Sequence, residues 1–140
     1  MKLGIKIKLG YKNFYLYSAA SPKTGKEFTL LLPRVNIDCM NIFLREFAKV
    51  NRNQKIAIVM DGAGWHKSDK LIIPKNIRII ILPPYSPELN PTEKLWQYIK
   101  NHTIKNRIYK TIRELENVVC EFVKTLTPEI IKSICGVSYL

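Results

Sequence analysis

Acids are what this sequence has little of. None occurs before Glu27, although six lysines do, and the whole chain sets 11 acidic residues against 23 basic ones for a formal charge of +12. An excess that large suits a polyanionic partner such as nucleic acid, and it equally describes a basic surface with no partner. Cysteine is scarce as well. Cys39, Cys120 and Cys135 are odd in number and lack metal-ligand spacing. They read as buried thiols in a reducing cytoplasm, not as a disulfide framework or a zinc site. Long apolar runs are missing: stretches such as Ile79 to Leu82 are far too short to span a membrane, so no membrane partner is expected. Lys2, Lys6, Lys8 and Lys12 break every apolar stretch where a secretory signal would lie. Repeats, linkers and low-complexity tracts are also lacking, which leaves one domain over residues 1–140. With 46% hydrophobic and 24% charged residues, that domain should pack a core.

What is present is an α/β succession. Ile5, Ile7 and Leu9 alternate with Lys6 and Lys8, as in a short half-exposed strand. Two apolar runs, Asn13 to Ala20 and Glu27 to Leu32, flank the turn-forming Ser21-Pro22-Lys23-Thr24-Gly25 and predict a hairpin. The period then changes. Met40, Phe43, Leu44, Phe47 and Ala48 fall on one helical face, with Asn36 placed to cap it. Lys55 to Met60 and Ile77 to Leu82 are continuous apolar strands, the pattern of interior parallel strands covered on both faces. Between them a short segment, Ser68 to Ile73, is stopped by Pro74. Ile112, Leu115, Val119, Phe122 and Leu126 repeat at three- and four-residue steps, giving a long C-terminal helix that Pro128 closes.

Two acids stand at chemically useful places. Asp61 follows a predicted strand end, where parallel α/β sheets bind ligands; an Asp there also serves simply to cap a loop. Gly62 and Gly64 allow close approach of the backbone, or merely make turns. Three prolines stiffen the loop Pro83-Pro84-Tyr85-Ser86-Pro87. Asn90 then caps a helix, Pro91 fits its first position and Glu93 falls at the third, so a capping box explains Glu93 on local grounds alone. Leu95, Trp96 and Ile99 would seat this helix on the sheet, with Trp96 as core.

The run Asp61-Gly62-Ala63-Gly64-Trp65-His66-Lys67-Ser68, followed by Pro83-Pro84-Tyr85-Ser86-Pro87-Glu88-Leu89-Asn90-Pro91-Thr92-Glu93-Lys94-Leu95-Trp96, closely resembles the mariner-like and related bacterial insertion-sequence transposases. These are DDE superfamily endonucleases with a ribonuclease H-like fold, and the likeness extends from about Asn13 to Val123. It implies a mixed sheet flanked by helices, and catalytic, metal-binding roles for Asp61 and Glu93 as the second and third carboxylates. It also implies Mg2+ or Mn2+ as cofactor, DNA cleavage and strand transfer as the reaction, and DNA as partner in a nucleoid-associated, cytoplasmic setting. His66 matches a family histidine near the site, or is a surface loop residue. Lys67, Lys94, Lys100, Lys105 and Arg107 are candidate DNA contacts. Two magnesium ions about 4 Å apart, held by hard oxygen ligands, would activate the attacking hydroxyl or water and stabilise the leaving oxygen.

One acid of the family pattern has no counterpart. The first catalytic Asp belongs on the first strand, upstream of the hairpin, and the only aspartates are Asp38, Asp61 and Asp69. Asp38 suits a helix N-terminus, and Asp69 follows the Asp61 motif. The first, central strand is therefore expected to be missing, with Lys2–Leu9 pairing locally beside the hairpin and the gap imperfectly filled. The chain would be inactive alone: half of a split transposase completed by an upstream polypeptide, or a basic DNA-binding or regulatory remnant, with self-association through the open strand edges.

Overall fold

In the computed structural model the two apolar runs on either side of the turn pair as a hairpin of strands β2 (Tyr15–Ala20) and β3 (Glu27–Leu32). The register runs from Tyr15↔Leu32 to Ala20↔Glu27. The structure describes residues 2–4, 14–60, 69–81, 92–103 and 109–135, and gives the backbone alone at 2–4, 81, 92 and 93. Two backbone bonds close the turn, Ser21 N–H to the Lys26 carbonyl at 2.8 Å and Gly25 N–H to the Ser21 carbonyl at 2.8 Å. Gly25 has a φ of 76°, which favours glycine, and a Cβ there would run into the Pro128 carbonyl oxygen.

Strand alternation divides the core in two. Tyr17 and Ala19 face helix α1 (Ile37–Val50), with Met40, Phe43, Leu44 and Phe47. Leu16 and Ala20 face helices α2 (Thr92–Thr103), α3 (Ile112–Lys124) and α4 (Pro128–Cys135), with Leu95, Trp96, Ile99, Leu115 and Ile131. Complete burial of each such large apolar side chain contributes about 1.5–3 kcal/mol. Asn36 caps α1 as expected, its Oδ1 accepting from Cys39 N–H at 2.8 Å.

The sheet has five strands in the order β3-β2-β1-β4-β5, with β1 (Lys2–Gly4), β4 (Ile56–Met60) and β5 (Ile77–Ile81). β1 is antiparallel to β2 (Lys2↔Ala20, Gly4↔Ser18) and parallel to β4 (Lys2↔Val59). This corrects the expectation that the central strand is missing. Lys2–Gly4 occupies the central position instead of lying beside the hairpin. The physical reason is the ladder: unpaired buried N–H and C=O groups on β2 and β4 cost about 1–3 kcal/mol each, and an extended backbone can satisfy them whatever its side chains. The alternating stretch Ile5 to Leu9 lies outside the described residues.

Three further differences concern the elements after β4. β4 and β5, expected to be covered on both faces, bury Ile58, Met60 and Ile77 against α1 but leave Ala57, Arg78 and Ile80 exposed on the other face, because α2 packs over β1 and β2. The stretch after Asp69 forms no helix; Asn41 holds it, donating to the Lys70 carbonyl at 3.0 Å and accepting from Ile72 N–H at 2.8 Å. Pro128 begins α4 in addition to ending α3, with Thr127 Oγ1 accepting from Ile130 N–H at 3.2 Å. No helix among the described residues is long and apolar enough to cross a membrane.

Candidate active site

β4 and β5 run parallel and level, from Ile56↔Ile77 to Met60↔Ile81. Both therefore deliver their chains to the same edge of the sheet, the edge where ligands bind in parallel α/β architectures. Met60 is buried against α1 and is the last described residue before Asp61. Asp61, His66 and Lys67 lie outside the described residues, as do Lys105 and Arg107. Glu93 is in the first turn of α2, with its backbone alone described. The helix that carries it is firmly seated. Leu95 and Ile99 are fully buried and Trp96 nearly so, which bears out their reading as core. The Trp96 indole Nε1 has no hydrogen-bond partner among the described residues.

The candidate DNA contacts on α2 do not form one stripe. Lys94 and Lys100 are both exposed, and six residues of helix set them about 120° apart around the axis. Lys94 stands near enough to the Cys135 thiol to oppose the effect of burial, which pushes that thiol up to about 11. Burial also raises the Cys120 thiol. Neither environment favours a reactive thiolate. His102 is exposed but engaged between helices: its ring lies 4.1 Å from that of Tyr98 and 5.4 Å from that of Phe122, and Nδ1 is 2.8 Å from the Tyr98 carbonyl oxygen. Asp38 sits exposed in the first turn of α1, in keeping with the helix-dipole reading, and Asp69 is exposed in a turn. Among the described residues no group of three His, Cys, Asp or Glu side chains could hold a metal ion.

The sequence reading passed over a polar row on the α2 side of the sheet. Ser18 is fully buried, and its Oγ lies 3.0 Å from Thr29 Oγ1, which donates to Glu27 Oε2 at 2.8 Å. Since Thr29 has one hydroxyl proton and spends it on Glu27, Ser18 must be the donor to Thr29. Burial raises the Glu27 carboxyl above the ordinary range, against the lowering effect of the Thr29 hydroxyl. Ser18 pairs with Gly4 across β1, so this row runs toward the centre of the sheet. Alternation in β2 and β3 gave the faces in advance, but not the contacts between hydroxyls.

Comparison with known proteins agrees with this architecture. Residues 8–116 match the family described as DDE superfamily endonuclease. A Sinorhizobium fredii protein, uncharacterized protein y4pE/y4sA, is 36% identical over 107 residues, covering 76% of this chain and 79% of that protein. The crystal structure of the Mos1 strand transfer complex contains a chain that superposes with a TM-score of 0.65 at 13% identity over 91% of this chain. The chain spans 40% of the length of that Mos1 chain. The likeness establishes the ribonuclease H-like fold, and with the family match over most of its length the chain belongs to the DDE superfamily endonucleases.

Proposed function

We propose that this chain is the core of a transposase-type strand-transfer domain that retains two active-site carboxylates, Asp61 and Glu93, and has no third. The observation that carries the reading is the composition and register of β1. The strand at the centre of the sheet offers Lys2, Leu3 and Gly4, none of them an acid. Its parallel register with β4 pairs Lys2 with Val59, and carried forward two residues it sets Gly4 level with position 61. Alternation along β4 gives position 61 the face opposite Met60, which is the α2 side, and Glu93 is in the first turn of α2. A strand-end Asp and a helix-start Glu on one face would bring hard oxygen donors together.

Two carboxylates fit one magnesium ion, which commonly keeps several waters and takes one or two protein ligands. They do not fit a pair of ions bridged by a shared carboxylate, because β1 supplies none. Asp61 and Glu93 would hold the ion, and when bound it would act as a Lewis acid on a phosphodiester oxygen. The chain's own part is to present the two carboxylates on rigid supports, β4 between its neighbours and α2 through Leu95, Trp96 and Ile99. DNA is the proposed substrate, in line with the charge of +12 and with the strand transfer complex named for Mos1.

The seat taken by β1 bears on how the activity is organised. An upstream polypeptide supplying a strand would have to displace Lys2–Gly4 from between β2 and β4. This favours a chain that binds DNA without cutting it over one half of a complementing pair. The purified chain, incubated with supercoiled plasmid and magnesium or manganese, is expected to give no nicking or strand transfer. Cutting that disappears in both Asp61→Ala and Glu93→Ala would show that another group completes the site.

A further inference from the structure

The far end of the sheet from Asp61 carries a feature that the two basic stretches of the sequence do not include. Two shallow cavities, of about 320 and 260 Å³, flank the beginning of β4 and share Lys55, Ile56 and Ala57 as a common wall. One extends toward the hairpin turn through Ser21, Thr24 and Lys26, the other toward β5 through Lys75 and Arg78. Arg78 pairs with Ala57 across the β4–β5 ladder, so its guanidinium rises from the face that α2, α3 and α4 leave open. Lys26, Lys55, Lys75 and Arg78 are all exposed, and among the described residues none of them joins an ion pair. Neither cavity has an acidic or aromatic residue among its described lining.

We propose that this trough is a docking track for the backbone of duplex DNA, with Lys26, Lys55, Lys75 and Arg78 neutralising successive phosphates. The charge pattern selects the partner. Four cations spread from the hairpin turn across two strands suit a repeating anion, whereas one isolated phosphate is held by donors converging on an enclosed pocket. The lack of aromatic lining argues for a duplex backbone over single-stranded bases, which bind by stacking on aromatic rings. Ala57, small and exposed, and the hydroxyls of Ser21 and Thr24 let a backbone lie close to the surface. Contacts of this kind position DNA without reading its sequence. The track uses neither Asp61 nor Glu93 and does not rest on their proposed role.

The test is a salt titration of the full chain with a fluorescein-labelled 20-base-pair duplex, followed by anisotropy. Each phosphate that is no longer neutralised should make the slope of log affinity against log salt shallower by about 0.9. The triple variant Lys55→Gln/Lys75→Gln/Arg78→Gln should therefore have a slope shallower by about 2–3 and bind at least about tenfold more weakly at moderate salt. Lys124→Gln/Lys132→Gln, which removes exposed cations from α3 and α4, should come close to the unchanged chain. Matching circular dichroism melts would establish that the triple variant is folded. The double variant Asp61→Ala/Glu93→Ala should keep the full slope, which separates this track from the carboxylate site. An unaltered slope in the folded triple variant overturns the proposal. So does loss of self-association on sedimentation with DNA affinity intact, since the trough would then receive a second copy of the chain.

Discussion

Glu27 carries a carboxylate where the sheet half-buries it, and the consequence for stability can be worked out in sign. Burial raises its folded-state pKa above the ordinary value of 4.5. The folded chain then binds more protons than the unfolded chain across the interval between the two values, so stability falls as pH rises through it. The favourable contribution is complete below the ordinary value and is lost above the raised one. Glu27→Gln keeps an oxygen to accept from the Thr29 hydroxyl and removes the buried charge. The variant should melt higher than the parent at pH 7, and the difference should shrink toward pH 4. A gap that stays constant with pH would mean that Glu27 titrates normally. At this scale the sequence was legible wherever the cause is local. Asn36 caps α1 because its side chain reaches a neighbouring amide, and Trp96 is core because apolar residues recur around it at helical steps. Glu27 was opaque, since its environment is made by Thr29, two positions along the strand, and by helices a hundred residues later.

Among the elements, β1 carries the greatest weight for its size. Three residues join the antiparallel hairpin to the parallel β4–β5 pair, with Lys2↔Val59 as the pairing on the β4 side. Leu3→Pro would remove a ladder donor from a central strand, where proline is not tolerated. It should destabilise the chain by about 1–3 kcal/mol for each backbone group left unpaired and speed amide exchange in Tyr15–Ala20 and Ile56–Met60. Unchanged exchange in both strands would place β1 outside the sheet's cooperative unit. The sequence suggested the wrong part of this segment, because the alternation of Ile5, Ile7 and Leu9 is the stronger pattern, whereas Lys2–Gly4 is chosen by backbone pairing. The apolar runs of β4 and β5 misled for a related reason. A continuous run states that both faces can be buried, not that helices are available to bury them, and α2 is committed to β1 and β2. Thr127 and Pro128 hold the signal for α4, a cap followed by proline at the first helical position, which was read only as a stop.

At the scale of the whole molecule, fold and family were legible because the loop before α2 and the Asp61 motif are long and specific, and the family match confirms them. The missing carboxylate was legible by count, since three aspartates leave none for the first strand. What no count could supply is the identity of the residue in that place, which depends on which backbone fills the centre of the sheet. The register names Gly4, level with position 61 and opposite Ser18. A side chain added there lies on the α2 side by alternation, facing the same way as the positions that carry Leu16 and Ala20. If the chain is inactive for want of one ligand, Gly4→Asp should restore part of the site. The variant is expected to show nicking of supercoiled plasmid in manganese that the parent lacks, and to lose it again when Asp61→Ala is added. Regaining even three decades of rate corresponds to about 4 kcal/mol of barrier, within what a shared metal ligand can supply. The substitution also puts an acid into a chain with no carboxylate before Glu27, so its melting temperature should rise when manganese is added, by binding linkage. A folded Gly4→Asp chain with neither nicking nor a manganese-dependent shift would show that the central strand is not where the site is incomplete.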